Sequence, residues 1–145
     1  MTHFDPQSVK DLEFDLIRSI LHDYCMQPTA RLRMIDLEPL RDHRKLRVQL
    51  IQTHEFHQIR SNGLSFPALD FEELDQEIKY LQLLDSVLNE ESFFKIYRAN
   101  ILVNDIIRSF EGIEESCNEL HALVSDIELS EYIPERVLQV FDNKW

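Results

Sequence analysis

Apolar positions along the first third of the chain recur at helical spacing. Val9, Leu12, Leu16, Ile20 and Tyr24 form a stripe, widened by Ile17 and Leu21, which predicts an amphipathic helix with one buried face. Phe14 lies off that stripe, so the main helix is predicted to begin near Asp15, with "DPQSVK" as a separate lead-in. Pro28 suits the first turn of a second helix, where its missing N–H is no loss. "LEPL" should stop that helix, because a residue preceding proline resists the α conformation.

Residues 40–60 carry two competing patterns. Leu46, Val48 and Leu50 alternate as in a half-buried strand, and "RDHR" could be a hairpin loop. Leu40, Val48, Ile51 and Ile59 fit a helical face equally well, and no glycine or proline interrupts Leu40 to Asn62. A helix capped by Asp42 is favoured, with a strand pair as the alternative. "SNGLSFP" is the clearest break in the chain. After it, Leu74, Ile78, Leu81, Leu84 and Leu88 predict a further helix. Asn89 reads as an N-cap, with Glu90 and Glu91 in the following first turn. Residues 90–111 are apolar nearly all round, which predicts a central helix with neighbours on several sides. Two short pieces, around Cys117–Ile127 and Ile133–Phe141, close the chain. The elements add up to an all-α fold, an irregular helical bundle of about five to seven helices in a single domain over residues 1–145.

Composition narrows the functional classes. Two glycines in 145 residues leave almost no raw material for phosphate-cradling loops or dinucleotide fingerprints. Cys25 and Cys117 make neither a disulfide framework nor a zinc site and read as buried thiols. No apolar run approaches the ~18 residues of a membrane span, so no membrane role and a cytoplasmic location are expected. The formal charge of −12 is uneven: residues 1–30 carry −3, residues 31–60 carry +3, and residues 61–145 carry −12. Arg31, Arg33, Arg41, Arg44, Lys45 and Arg47 are therefore the candidates to face a phosphate backbone, in a chain whose overall charge opposes non-specific binding.

Catalytic chemistry is hard to assemble. His54 and His57 would share a helix face, but neither Glu-x-x-His nor His-Glu-x-x-His spacing is present, so both read as solvated. Arg47 and His54 fit the loose Arg-x4-6-His pattern of helical HEPN ribonucleases, although Val48 stands where those enzymes carry a polar residue. The pairs Glu72–Glu73, Glu90–Glu91 and Glu114–Glu115 sit at predicted helix starts. Adjacent helical residues point apart, so these acids are expected to be solvated and not dyads. Asn100 and Asn104, one turn apart, are expected to be satisfied interior amides. No catalytic, metal or cofactor-binding residue is assigned to this chain.

The order of the pieces carries more. "LEFDLIRSIL" (with Leu12, Glu13, Phe14 and Ile17), then Tyr24, then Arg31 to Ile35, then Leu37 and Pro39, resembles the amino terminus of the Smr-bearing MutS paralogues, the MutS-two subfamily. Thr53 with Glu55 stands where that subfamily carries a threonine–glutamate pair. "LNEESFFKI" is similar to its leucine, cap and acidic-pair helix start, and "VLQVFDNKW" resembles the segment before a Gly-Glu-[Val/Ile]-x-Asp strand. The resemblance implies the helical core of a DNA mismatch-repair family member that lacks the mismatch-reading domain. It implies that this chain is a non-catalytic fragment ending at Trp145 of a longer protein, with lever and clamp helices, a dimerising P-loop ATPase using ATP and Mg, and a small Smr nuclease domain. Such proteins bind branched or structured DNA, restrain recombination, and in some lineages act on stalled ribosomes. The expected partners are the rest of its own polypeptide, structured DNA or the ribosome, and a second full-length copy. The alternative is a self-contained acidic helical adaptor or immunity-type binding protein, or a HEPN-type ribonuclease.

Overall fold

The computed structural model describes residues 6–140, and among them every regular element is helical and no strand occurs. The chain divides into two compact units, Met1–Arg41 and Asp42–Trp145.

Within the first unit, α1 (Pro6–Asp11) is followed by α2 (Phe14–Tyr24) and α3 (Pro28–Ile35). The separate lead-in helix is therefore present. The corner between α1 and α2 is made by Glu13 at φ 50°, whose carbonyl accepts from Leu16 N at 2.9 Å and Ile17 N at 3.2 Å. Pro28 opens α3 as expected, and α3 stops at Ile35, two residues before Leu37. Two arginines tie α2 and α3 together. Arg18 Nη1 donates to Ile35 O at 3.0 Å, with its guanidinium 5.4 Å from the Phe14 ring centroid. Arg31 Nε donates to Cys25 O at 2.9 Å. Each bond places a cation on a carbonyl at a helix C-terminus, where the backbone has no helical donor and the dipole is negative.

One expectation fails in this unit. Leu12, Leu16, Ile20 and Tyr24, the stripe predicted to be buried, are exposed, and the Val9 side chain is not among those described. The half-buried side chains of α2, α3 and the turn between them include instead Phe14, Arg18, His22, Cys25, Ala30 and Met34. A short two-helix pairing covers only one side of each helix, and the Arg18 and Arg31 bonds select the side.

The second unit begins with α4 (His43–Ser61), a single 19-residue helix, so the strand alternative for residues 40–60 is not adopted. Asp42 caps it, its Oδ1 accepting from Arg44 N at 2.8 Å and Lys45 N at 3.2 Å. α5 (Asp75–Leu81) and α6 (Glu90–Ser109) follow, then a 3-10 turn at Glu114–Ser116, α7 (Asn118–His121) and α8 (Tyr132–Val140). Asn89 caps α6 through Ser92 N at 2.8 Å, as the sequence indicates. Both glycines lie just past helix ends with left-handed backbone, Gly63 at φ 69° after α4 and Gly112 at φ 81° after α6. That conformation costs glycine nothing and ends a helix.

The core of this unit forms around Ile59, Phe110 and Cys117, with Phe66, Ile106, Ile113, Leu120 and Val124 against it. Phe66, from the "SNGLSFP" break, meets Phe56 edge-on at 5.2 Å and Phe110 at 5.9 Å. A separate contact joins α6 to α8, where Val137 is buried.

Two expectations need correction here. The predicted helix over Leu74–Leu88 ends at Leu81, and Leu84 is 93% exposed. The chain turns at Asp85, at φ 60°, ahead of the Asn89 cap that starts α6, and Ile78, Leu81 and Leu84 of the leucine stripe are exposed. Nor is α6 enclosed. Its apolar side chains are half-buried for the most part, and Asn104 is its one buried residue.

Candidate functional site

The six candidate cations fall in both units, and each set is placed within its own unit. Arg31, in α3, is engaged by the Cys25 carbonyl. Arg33 is exposed in the last turn of α3, and Arg41 is exposed at the end of the unit. In the second unit, Arg44 and Lys45 occupy the first turn of α4, with Arg47 just beyond, all exposed. Arg44, Lys45, Arg47 and Arg60 form no ion pair with any described residue, whereas Arg18, Lys95, Arg98 and Arg108 do. The one acid in α4, Glu55, is buried. The exposed surface of α4 is thus a cationic element in an acidic chain.

His43, Leu46, Arg47, Leu50, Ile51 and His54 line an open depression of about 330 Å³ on α4. They recur at spacings of three and four and so share one side of the helix. Arg47 and His54 are therefore brought onto one face, two turns apart. His54 and His57 are exposed, as expected, and His57 Nδ1 lies 3.4 Å from Ser61 Oγ. Among the described residues, no group of three or more metal-binding side chains occurs.

Three polar arrangements that the sequence did not disclose position the helices of the second unit. Glu55 reaches from α4 to the start of α7, where its carboxylate accepts from Leu120 N at 2.8 Å and Glu119 N at 3.3 Å. Gln52 Nε2, one turn earlier, donates to Glu119 O at 3.1 Å. α7 has no side-chain cap of its own; a carboxylate 64 and 65 residues away from the two donors supplies it. Burial first, and the Glu55 charge second, push the neighbouring Cys117 thiol above its usual range. The second arrangement is Asn104, which donates from Nδ2 to Ser130 O at 2.9 Å and accepts from Ser130 N at 3.1 Å. This pins the segment leading into α8 onto α6. Asn100 does not match its expected role, because its buried Oδ1 has no hydrogen-bond partner.

The third arrangement surrounds Lys95, whose Nζ lies 3.6 Å from Glu77, 3.7 Å from Glu72 and 3.7 Å from Glu91. Desolvation lowers the Lys95 pKa, but Glu77, Glu72 and Glu91 outweigh it and hold the ammonium above its usual range. Glu72 also accepts from Arg98 Nη1 at 3.1 Å. This corrects the placing of Glu72 in a first helical turn: it precedes α5 and joins that segment to α6, while its side chain stays exposed as expected. Glu90 and Glu91 do lie in the first turn of α6. Of the two cysteines, Cys117 is buried as expected, while Cys25 is only half-buried, its Sγ 3.2 Å from Leu21 O.

Among the described residues, no helix is long and apolar enough to cross a membrane. No protein-family model and no solved structure matches the chain. Among curated proteins, the Endonuclease MutS2 of Latilactobacillus sakei subsp. sakei (strain 23K) is 24% identical over 115 residues, covering 79% of this chain. The chain spans 14% of the length of that relative. It is distantly similar to a MutS-related protein.

Proposed function

We propose that this chain is a non-catalytic helical part of a MutS-related, ATP-dependent protein that acts on branched or structured DNA. The observation that carries the reading is the 115-residue similarity to Endonuclease MutS2, which runs through 79% of the chain. Its all-helical build supports the same reading, since packed helices move as rigid bodies and suit the transmission of a nucleotide-driven rearrangement. In this reading ATP and Mg bind in a P-loop domain outside these 145 residues, the full-length protein pairs with a second copy, and the Smr domain supplies nuclease chemistry. Arg33, Arg44, Lys45 and Arg47 are the side chains available to a phosphate backbone. Arg31 is already engaged by Cys25.

The test begins with the coding frame. It should run on to a Walker A loop, and the product should bind a four-way DNA junction in a manner that depends on Mg-ATP. A frame that stops soon after residue 145, or junction binding indifferent to nucleotide, overturns the reading. One further observation, that Arg47 and His54 share an exposed face of α4, favours the HEPN-type ribonuclease as the second reading. RNA cleavage by the 145-residue chain, lost in His54→Ala, would replace the first reading with the second.

A further inference from the structure

Within the second unit, a cavity of about 400 Å³ lies between α5 and the first turn of α6. Gln76, Glu77 and Tyr80 line it from α5, Val87 and Leu88 from the connecting segment, and Ser92 from α6. Glu77 is the one charged residue of this lining and is only 7% exposed. Ser92 Oγ donates to Glu77 Oε1 at 3.3 Å, and Lys95 Nζ lies 3.6 Å from the same oxygen. The second oxygen, Oε2, receives no hydrogen bond from a described residue. A buried carboxylate oxygen without a donor retains its desolvation cost, so Oε2 calls for a donor from whatever fills the cavity. The surrounding charge says which kind. Glu72, Glu77 and Glu91 all stand within 3.7 Å of Lys95 Nζ, and Arg98 adds a second cation through Glu72. Three carboxylates against two cations leave one negative charge uncompensated. Desolvation alone would lower the Lys95 pKa, yet the carboxylates hold it above its usual range, the mark of a negative local potential.

We propose that this cavity binds a small organic primary amine in its ammonium form, held by Glu77 Oε2 with its carbon body against Val87, Leu88 and Tyr80. An ammonium brings both things the site lacks, N–H donors and a positive charge. Ser92 Oγ, while donating to Oε1, keeps acceptor lone pairs for a second N–H of the same group. A neutral alcohol supplies a donor without the charge, and a quaternary ammonium supplies the charge without a donor, so neither completes the site. The cavity is at the small end of the ~300–1,000 Å³ range of ligand pockets, which restricts the amine to a short body. This site is independent of the MutS-related reading, and either can fail alone.

The experiment is an amide chemical-shift titration of the 145-residue chain with n-butylammonium chloride. Saturable shifts are expected at Gln76, Tyr80, Leu88 and Ser92, with half-saturation at ~1 mM or below, a weak small-molecule complex. Potassium chloride at equal ionic strength, 1-butanol and tetramethylammonium chloride should each fail to saturate the same amides. Glu77→Gln keeps the shape of the side chain and an acceptor for Ser92 while removing the charge, and should weaken butylammonium binding at least ~10-fold. Should that variant lose helical circular dichroism, the cavity rim decides. Val87 is 81% exposed, so substitutions there leave the fold intact. Val87→Lys should weaken the binding and Val87→Glu tighten it, each by about threefold at low salt. Shifts that potassium chloride reproduces, or an equal response to 1-butanol or tetramethylammonium, overturn the proposal. So do binding unchanged in folded Glu77→Gln, indifference to the charge at position 87, and absence of saturation by ~10 mM.

Discussion

Removing the Glu55 carboxylate strips two backbone donors at the start of α7 of their acceptor. A buried N–H left without a partner retains its full desolvation penalty, so Glu55→Ala should lower unfolding free energy by about 2 kcal/mol. Urea denaturation checks it, and a loss below about 0.5 kcal/mol, the lower end for a helix cap, would mean that the bond is dispensable. Asn100 and Asn104 make a contrasting pair on one helix. Asn104→Ala should cost about 2 kcal/mol, since Ser130 loses both a donor and an acceptor. Asn100→Leu, which replaces an unpaired buried oxygen by a methyl on a side chain of the same branching, should be neutral or stabilising in the same assay. From sequence the two amides look alike. Only the position of Ser130, 26 residues downstream of Asn104, separates them. The cysteines divide in the same way: a thiol reagent should modify half-buried Cys25 in the native protein and reach buried Cys117 only on unfolding.

At the scale of elements, local chemistry governs where helices start and stop. Pro28, Asp42, Asn89, Gly63 and Gly112 each do what their type dictates. Asp42→Ala should accordingly destabilise α4 by about 1 kcal/mol, seen as faster amide exchange at Arg44 and Lys45. The clamp between α6 and the segment before α5 is electrostatic and has a pH signature. Because the folded Lys95 is held above its ordinary value by Glu77, Glu72 and Glu91, its contribution is complete below the unfolded value of roughly 10.4. It is lost as pH rises through the higher folded value. Thermal stability should therefore fall from about pH 10 upward, the ordinary lysine range, and Lys95→Met should remove that part of the alkaline slope. Where local signals are silent, the sequence misleads. The leucines of 74–88 keep helical spacing throughout, yet α5 ends at Leu81, because spacing records which face would be buried and not whether anything buries it.

For the whole molecule, charge sets the limits of partner choice. With −12 overall and the cations of α4 unpaired by any described acid, the isolated chain should bind duplex DNA no more tightly than the usual non-specific ~10⁻⁴–10⁻⁶ M at physiological salt. Fluorescence anisotropy with a labelled duplex measures this, and nanomolar binding would show that α4 reads DNA without the rest of the protein. Helical class, the separate lead-in before α2, the caps of α4 and α6 and the break at "SNGLSFP" were all determined by the sequence, since each depends on dihedral preference and hydrogen bonds within a few residues. Tertiary structure decided the rest: that Glu55 caps α7, that Ser130 satisfies Asn104, that Glu72 joins Lys95 and Arg98, and that the leucine stripe of α2 is left exposed. Those outcomes join residues tens of positions apart or turn on which of two available faces finds a neighbour. A periodic pattern shows that a face can be buried; only three-dimensional packing supplies the partner that covers it.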